Sequence, residues 1–290
     1  MKYAVCFSGG HSSALAAVET VRRFGREHVI LLNHNISSKV ESPKIKIFKQ
    51  EVAASLYLPV TYANCEDFEQ MSPLALSLKY KMFKFRTGRE ICTYFLKTRP
   101  FYQWLEENYP ICREGMSKEI TLIYGFDSSE CSRIKRRRRL LQKIGYQSMF
   151  PLAEWSRTIH DIEEIGIQRP AIYAESKHAN CIGCLKAGRQ HWYKVYCCHR
   201  EIFEEAKMAE NKIGFSIIKG AYLQELEPSF EQMQKAGIPA TENMEMYWFW
   251  KYARGCAAFQ HPAPRKSDSQ HRCTVHPLAF TMIRVLPSIQ

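Results

Sequence analysis

Apolar and polar positions follow two rhythms along this chain, and the rhythm changes where the elements change. Lys2 to Phe7 is a short apolar run with a β-branched centre that stops at two glycines, the pattern of a buried strand. Ser12 to Arg23 carries Leu15, Ala16, Val18 and Val21 at helical spacing. His28 to Leu32 predicts a second strand. Pro43 to Leu56 predicts a second helix, with Ser42 placed to cap it and Pro43 in its first turn. Pro59 to Tyr62 predicts a third strand. The order βαβαβ implies a parallel sheet with helices on both faces.

Further along, Met71 to Met82 and Thr93 to Asn108 read as helices and Ile120 to Tyr124 as a strand. A basic helix is expected over Ser129 to Ile144, and a short one over Ser156 to Ile165. The periodicity breaks between Lys177 and Arg189, where Cys181-Ile182-Gly183-Cys184 lies. His191 to Asn211 predicts one long helix. Pro228 to Ala236 predicts a shorter one, with Pro228 in its first turn and Gly237 past its end. His261 to Gln270 reads as a linker or tail, and Thr274 to Gln290 has no assigned role. The expected organisation is an α/β Rossmann-like domain over 1–176, a helical cysteine-containing segment over 177–255 and a tail over 256–290.

Composition adds three constraints. No apolar run reaches the roughly 18 residues that span a bilayer, and Ala4 to Phe7 is too short for a secretory signal. The expectation is a cytoplasmic protein with no membrane partner. The 11 cysteines are an odd number at irregular spacing. A disulfide framework is therefore not expected, and metal or redox use of a subset is. The net charge is +12, and Lys135-Arg136-Arg137-Arg138-Arg139 supplies five positive charges in one run. That run is either a solvated helix face or a contact for a polyanion such as nucleic acid.

The loop Ser8-Gly9-Gly10-His11-Ser12-Ser13 joins the first strand to the first helix. Glycines there let the backbone approach an anion, and the free N–H groups and dipole of the helix start favour its charge. Ser8, Ser12 and Ser13 can add hydroxyl donors. Asn33 and Asn35 follow the second strand at the carboxyl edge, where open α/β sheets bind ligands; they read a base or ribose, or serve as turn residues. Cys181 and Cys184 have the spacing of a metal half-site or a redox pair.

The loop resembles that of the PP-loop superfamily, the adenine nucleotide α-hydrolases, whose usual form is S-G-G-x-D-S; Ser12 stands where Asp is common. Cys92-Thr93-Tyr94-Phe95-Leu96-Lys97-Thr98-Arg99-Pro100, Gly125 to Arg133 and Pro151-Leu152-Ala153-Glu154-Trp155 with Ile159 resemble three further family segments, in the family's order. The last is one residue short in spacing. The resemblance covers residues 2 to about 185. It points to the phosphoadenosine phosphosulfate (PAPS) reductase-like members of phage and prophage type, related to the sulfur-insertion component of DNA phosphorothioation.

The resemblance implies that ATP, or a sulfonucleotide such as PAPS or APS, binds the loop with Mg²⁺. Lys97 and Arg133 would be its counter-charges, and Glu130 would orient Arg133 or help hold the metal. It also implies a [4Fe–4S] cluster on Cys92, Cys181 and Cys184, with zinc the alternative. The fourth position falls to Cys197, Cys198, His178 or an exogenous sulfur. Three functions follow. The first is an ATP-dependent sulfurtransferase that adenylates its substrate, served by a sulfur donor protein and holding nucleic acid on the basic helix. The second is a sulfonucleotide reductase, although the chain lacks the E-C-G-L-H motif of those enzymes and Cys256 and Cys273 lie in unrelated contexts. The third is a non-catalytic nucleotide-binding component.

Overall fold

A computed structural model describes residues 1–111 and 115–255. Cys112, Cys256, Cys273 and the expected tail over 256–290 lie outside the described residues. Five strands form one parallel sheet in the order β3-β2-β1-β4-β5. The strands are β1 Lys2–Cys6, β2 Val29–Asn33, β3 Val60–Tyr62, β4 Ile120–Ile123 and β5 Gln147–Met149. Among them run helices α1 His11–Phe24, α2 Pro43–Ser55, α3 Pro73–Tyr80, α4 Ile91–Thr93, α5 Arg99–Asn108, α6 Cys131–Gln142 and α7 Pro151–Glu154. A π-helical turn, Tyr94–Thr98, joins α4 to α5. Four helices follow the sheet: α8 Arg189–Cys198, α9 Arg200–Ile213, α10 Leu223–Lys235 and α11 Met246–Gly255. The expected α/β Rossmann-like sheet with a helical C-terminal part is therefore present.

Strand alternation sorts the core into two layers. Val5, Leu31 and Ile123 face α1, α2 and α7, while their neighbours Ala4, Leu32 and Leu122 face α5 and α6. A third core forms where α8 to α11 pack with α3 and with Ile36 and Val40 of the β2–α2 connection. The expected segments 1–176 and 177–255 thus share a core. Among the described residues no helix is long and apolar enough to cross a membrane.

Three local expectations are corrected. Ser156 to Ile165 is not a helix, except for a 3-10 turn at Ile162–Ile165. The backbone N–H groups of Thr158 and Ile159 donate instead to the buried carboxylate of Glu19 on α1. The long helix expected over His191 to Asn211 is two helices broken at His199, whose φ of -141° leaves the helical region. Both bury a face in the same core, so the periodicity runs on across the break. Pro228 lies inside α10, which begins earlier at Leu223. Strand β5 is short and polar and sits at the sheet edge, so no apolar run announces it.

Candidate functional site

The loop between β1 and α1 sits at the carboxyl edge of the sheet. Gly9 has φ +77°, and a Cβ there would lie 2.8 Å from Lys49 Cγ and 2.9 Å from Ile45 Cγ2. Only glycine fits so close to α2 in that conformation. A branched residue at Gly9 would therefore strike α2 and not merely crowd an anion. Gly10 is the N-cap of α1 and makes no side-chain cap, so the N–H groups of the first turn need outside acceptors. The Ser13 hydroxyl is buried and donates to Gly10 O at 2.8 Å, which leaves it to accept from Ser8 Oγ at 3.2 Å. Ser8 and Ser12 are exposed. His11 N–H donates to the Tyr173 hydroxyl at 3.1 Å. The His11 ring is half-buried: Nε2 lies 3.3 Å from both Asp161 Oδ1 and Ile162 N. Burial first, then Arg169, holds this ring below the usual imidazole range, so the neutral ring accepts from the Ile162 N–H.

Beside the loop opens a cleft of about 160 Å³. Its wall includes Ser8, Asn33, His34, Glu41, Lys97 and Cys181. Lys49, 1% exposed, lies beneath it. Its ammonium donates to Glu41 Oε1 at 2.9 Å and to Asn33 Oδ1 at 3.3 Å. Asn33 Nδ2 donates in turn to Phe7 O. Both polar ends of Asn33 are thus engaged by the protein. The backbone N–H of Asn35 is held by Asn64 Oδ1. Glu41 Oε2 is buried with no hydrogen-bond partner among the described residues, and Lys46 Nζ lies 3.9 Å from it.

His34 is a chemical group that the motifs did not single out. Its Nδ1 meets Ala63 O, which can only accept, so Nδ1 carries the proton. Burial lowers its pKa, against the pull of that hydrogen bond, and Lys97 and Lys49 lower it further. A neutral ring then leaves Nε2 as a lone-pair acceptor in the wall of the cleft. Lys97 is exposed on the π turn, where Thr98 Oγ1 donates to Thr93 O across the bulge.

The three expected cysteine ligands gather at the same end. Burial first, then Cys181 and Cys184, push the Cys92 thiol up to about 11 against the pull of Lys97. Burial also raises Cys181, again with Lys97 in opposition. The Cys-x-x-Cys turn is tied down on two sides. Ile182 N–H donates to Val40 O at 2.8 Å, and Cys184 N–H donates to His191 Nε2 at 3.1 Å. The ring of His191 therefore has its proton on Nδ1, 2.5 Å from Glu242 Oε1. Cys197 is not part of this group: burial raises its thiol, and its electrostatic neighbours are Tyr193 and Cys198. Among the described residues, no three His, Cys, Asp or Glu side chains converge tightly enough to hold an ion as they stand.

Arg133 and Glu130 lie elsewhere. They pair with each other at the carboxyl end of β4, and the Arg133 guanidinium sits 4.3 Å from the centre of the Phe126 ring. Neither lines the cleft. The basic run on α6 divides by face. Arg137 lies over Tyr124 at 5.1 Å, and Arg138 lies over Phe150 and pairs with Glu154. Lys135, Arg136 and Arg139 are exposed; Arg139 lies one turn beyond both of the others, and Lys143, just past the end of α6, follows it by another turn.

The chain matches no protein-family model and no curated protein.

Sequence reasoning passed over Glu41, Lys49, His34 and Tyr173. Lys49 did carry a signal: it follows Ile45 by one turn and lies beside Phe48 and Val52 on the buried face of α2. A lysine there calls for a buried partner. Replacing Lys49 by Met leaves the Glu41 carboxylate buried without its cation. The expected loss is about 3–5 kcal/mol of stability, and adding Glu41→Gln should restore much of it. Urea unfolding of the single and double variants measures both. A single variant within about 1 kcal/mol of wild type would remove the network's structural role.

Proposed function

We propose that the chain is a PP-loop enzyme of the PAPS reductase-like type, which binds ATP on the glycine loop and adenylates a substrate for sulfur transfer. One observation carries the reading: a single cleft is lined by Ser8 of the glycine loop, by Lys97 and by Cys181. Nucleotide activation and sulfur chemistry therefore have adjacent places to occur. The loop N–H groups and Ser8 hold the phosphates, and Lys97 supplies a counter-charge. Adenylation turns the substrate oxygen into a leaving group while pyrophosphate departs. His34 Nε2 is placed to take a proton from the group that attacks. Glu41, whose Oε2 is buried without a hydrogen-bond partner among the described residues, is the carboxylate that would hold Mg²⁺ in place of the Asp usual at the Ser12 position, and the ion would supply charge neutralisation at the phosphates.

The donor chemistry suits an iron–sulfur cluster, since Cys92, Cys181 and Cys184 are free thiols and the last two stand near enough to raise the Cys92 thiol. These three would hold it, drawn closer than they stand, and it would supply a thiophilic site for sulfide from a donor protein. Zinc on the same thiols is the alternative group, and a sulfonucleotide is the alternative nucleotide. The exposed basic residues Lys135, Arg136 and Arg139 of α6, with Lys143 just past its end, are the proposed contact for a nucleic-acid substrate.

Anaerobically purified protein should contain iron and acid-labile sulfide and release pyrophosphate from ATP in the presence of substrate. Cys92→Ser, Cys181→Ser and Cys184→Ser should each lose the visible absorption, and Cys131→Ser should keep it. Stoichiometric zinc without sulfide would replace the cluster by a zinc site. ATP binding with no pyrophosphate release would make the chain a nucleotide-binding component. Neutralising Lys135, Arg136 and Arg139 together should weaken nucleic-acid binding. The slope of log affinity against log salt should fall by about 0.7–0.9 per lost contact, with ATP binding unchanged. Equal salt dependence in the variant and wild type would reject that contact.

A further inference from the structure

The glycine loop does not stand open. The N–H of His11, the first residue of α1, points to the Tyr173 hydroxyl at 3.1 Å. A Cβ added at Gly10 would lie 3.4 Å from that same oxygen and 3.5 Å from Ser8 Oγ. An oxygen from a distant part of the chain thus occupies the mouth of the loop, on an N–H that otherwise seeks an anion. Tyr173 lies in a 3-10 turn, Ala171–Ala174, and its carbonyl accepts from Asn243 Nδ2 at 2.6 Å. Among the described residues the hydroxyl donates to no protein atom, so this bond is its one attachment to the loop.

We infer that Tyr173 gates the loop: its hydroxyl holds the place of a phosphate oxygen and is displaced when a polyphosphate enters. The inference rests on the reading of this loop as a phosphate site. A phenol oxygen is a neutral acceptor, whereas a phosphate oxygen carries charge and makes a hydrogen bond about twice as strong. Exchange of one for the other is therefore favourable, but the anion must first break the existing bond. The gate belongs to a wider cover, because the same stretch of chain brings Asp161 and the Ile162 N–H onto the His11 ring. The turn bearing Tyr173 is in turn anchored to the 241–243 connection ahead of α11 by Asn243 and by the bond from Glu242 N to Glu175 O. The segment bonded to this turn also carries Glu242, the partner of His191 at the Cys-x-x-Cys turn.

Tyr173→Phe keeps the ring and removes only the competing oxygen. Calorimetry on the full chain, with ATP and with pyrophosphate as separate probes, should show the variant binding each about 3- to 10-fold more tightly than wild type, the range of one net hydrogen bond. The His11 amide resonance should move in the variant, and in wild type it should move when pyrophosphate is added. Wild-type affinity equal to or better than that of the variant overturns the gate while leaving the phosphate site intact. A wild type and variant that bind neither probe overturn the phosphate reading itself, and the gate with it.

Discussion

The buried ammonium of Lys49 holds the candidate site together. It lies near the carboxyl ends of β1 and β2, and it reaches two oxygens at once, on Glu41 and Asn33. Through Asn33 it is tied to Phe7 O at the end of β1. Its alkyl stem packs where a Cβ of Gly9 would otherwise be. A lysine so deeply buried is costly unless paired. The ion pair fixes the Glu41 carboxylate, and the lysine stem with Ile45 lies so close to Gly9 that only glycine fits there.

From that ion pair the site extends outward along the β2–α2 connection. Glu41 and Val40 are adjacent, and the carbonyl of Val40 accepts from Ile182 inside the Cys-x-x-Cys turn. The glycine loop and the thiols are therefore separated by a short path of direct contacts. Lys97 stands between them, lowering the pKa values of Cys92, Cys181 and His34 from one position. A single cation that favours thiolates and also keeps a histidine neutral suits the proposed combination of sulfur and proton chemistry. The C-terminal helices contribute as well, since His191 and Glu242 fix the Cys-x-x-Cys backbone from the far side.

Much of this was readable before the fold was seen, and the reasons are physical. Strands β1, β2 and β4 are buried on both faces and so read as apolar runs, and the glycines at their edge mark the loop. The Cys-x-x-Cys was singled out by its spacing and Cys92 by the family resemblance. What escaped was polar and long-range. Strand β5 is an edge strand without an apolar run, and the stretch around Thr158 lost its helix to a carboxylate 139 residues away. Arg133 and Glu130 turned to each other and Phe126, because a surface ion pair and a ring were nearer than the cleft. Tyr173 sits 162 residues from its partner at His11, a separation that no local pattern encodes.

The most direct test of the account is a crystal structure of the full chain grown anaerobically with a non-hydrolysable ATP analogue. The account predicts the phosphates against the N–H groups at the start of α1, the Tyr173 hydroxyl displaced from His11, and the nucleotide extending along the cleft toward Lys97 and Cys181. A nucleotide seated away from the glycine loop, with Tyr173 still bonded to His11, would contradict it.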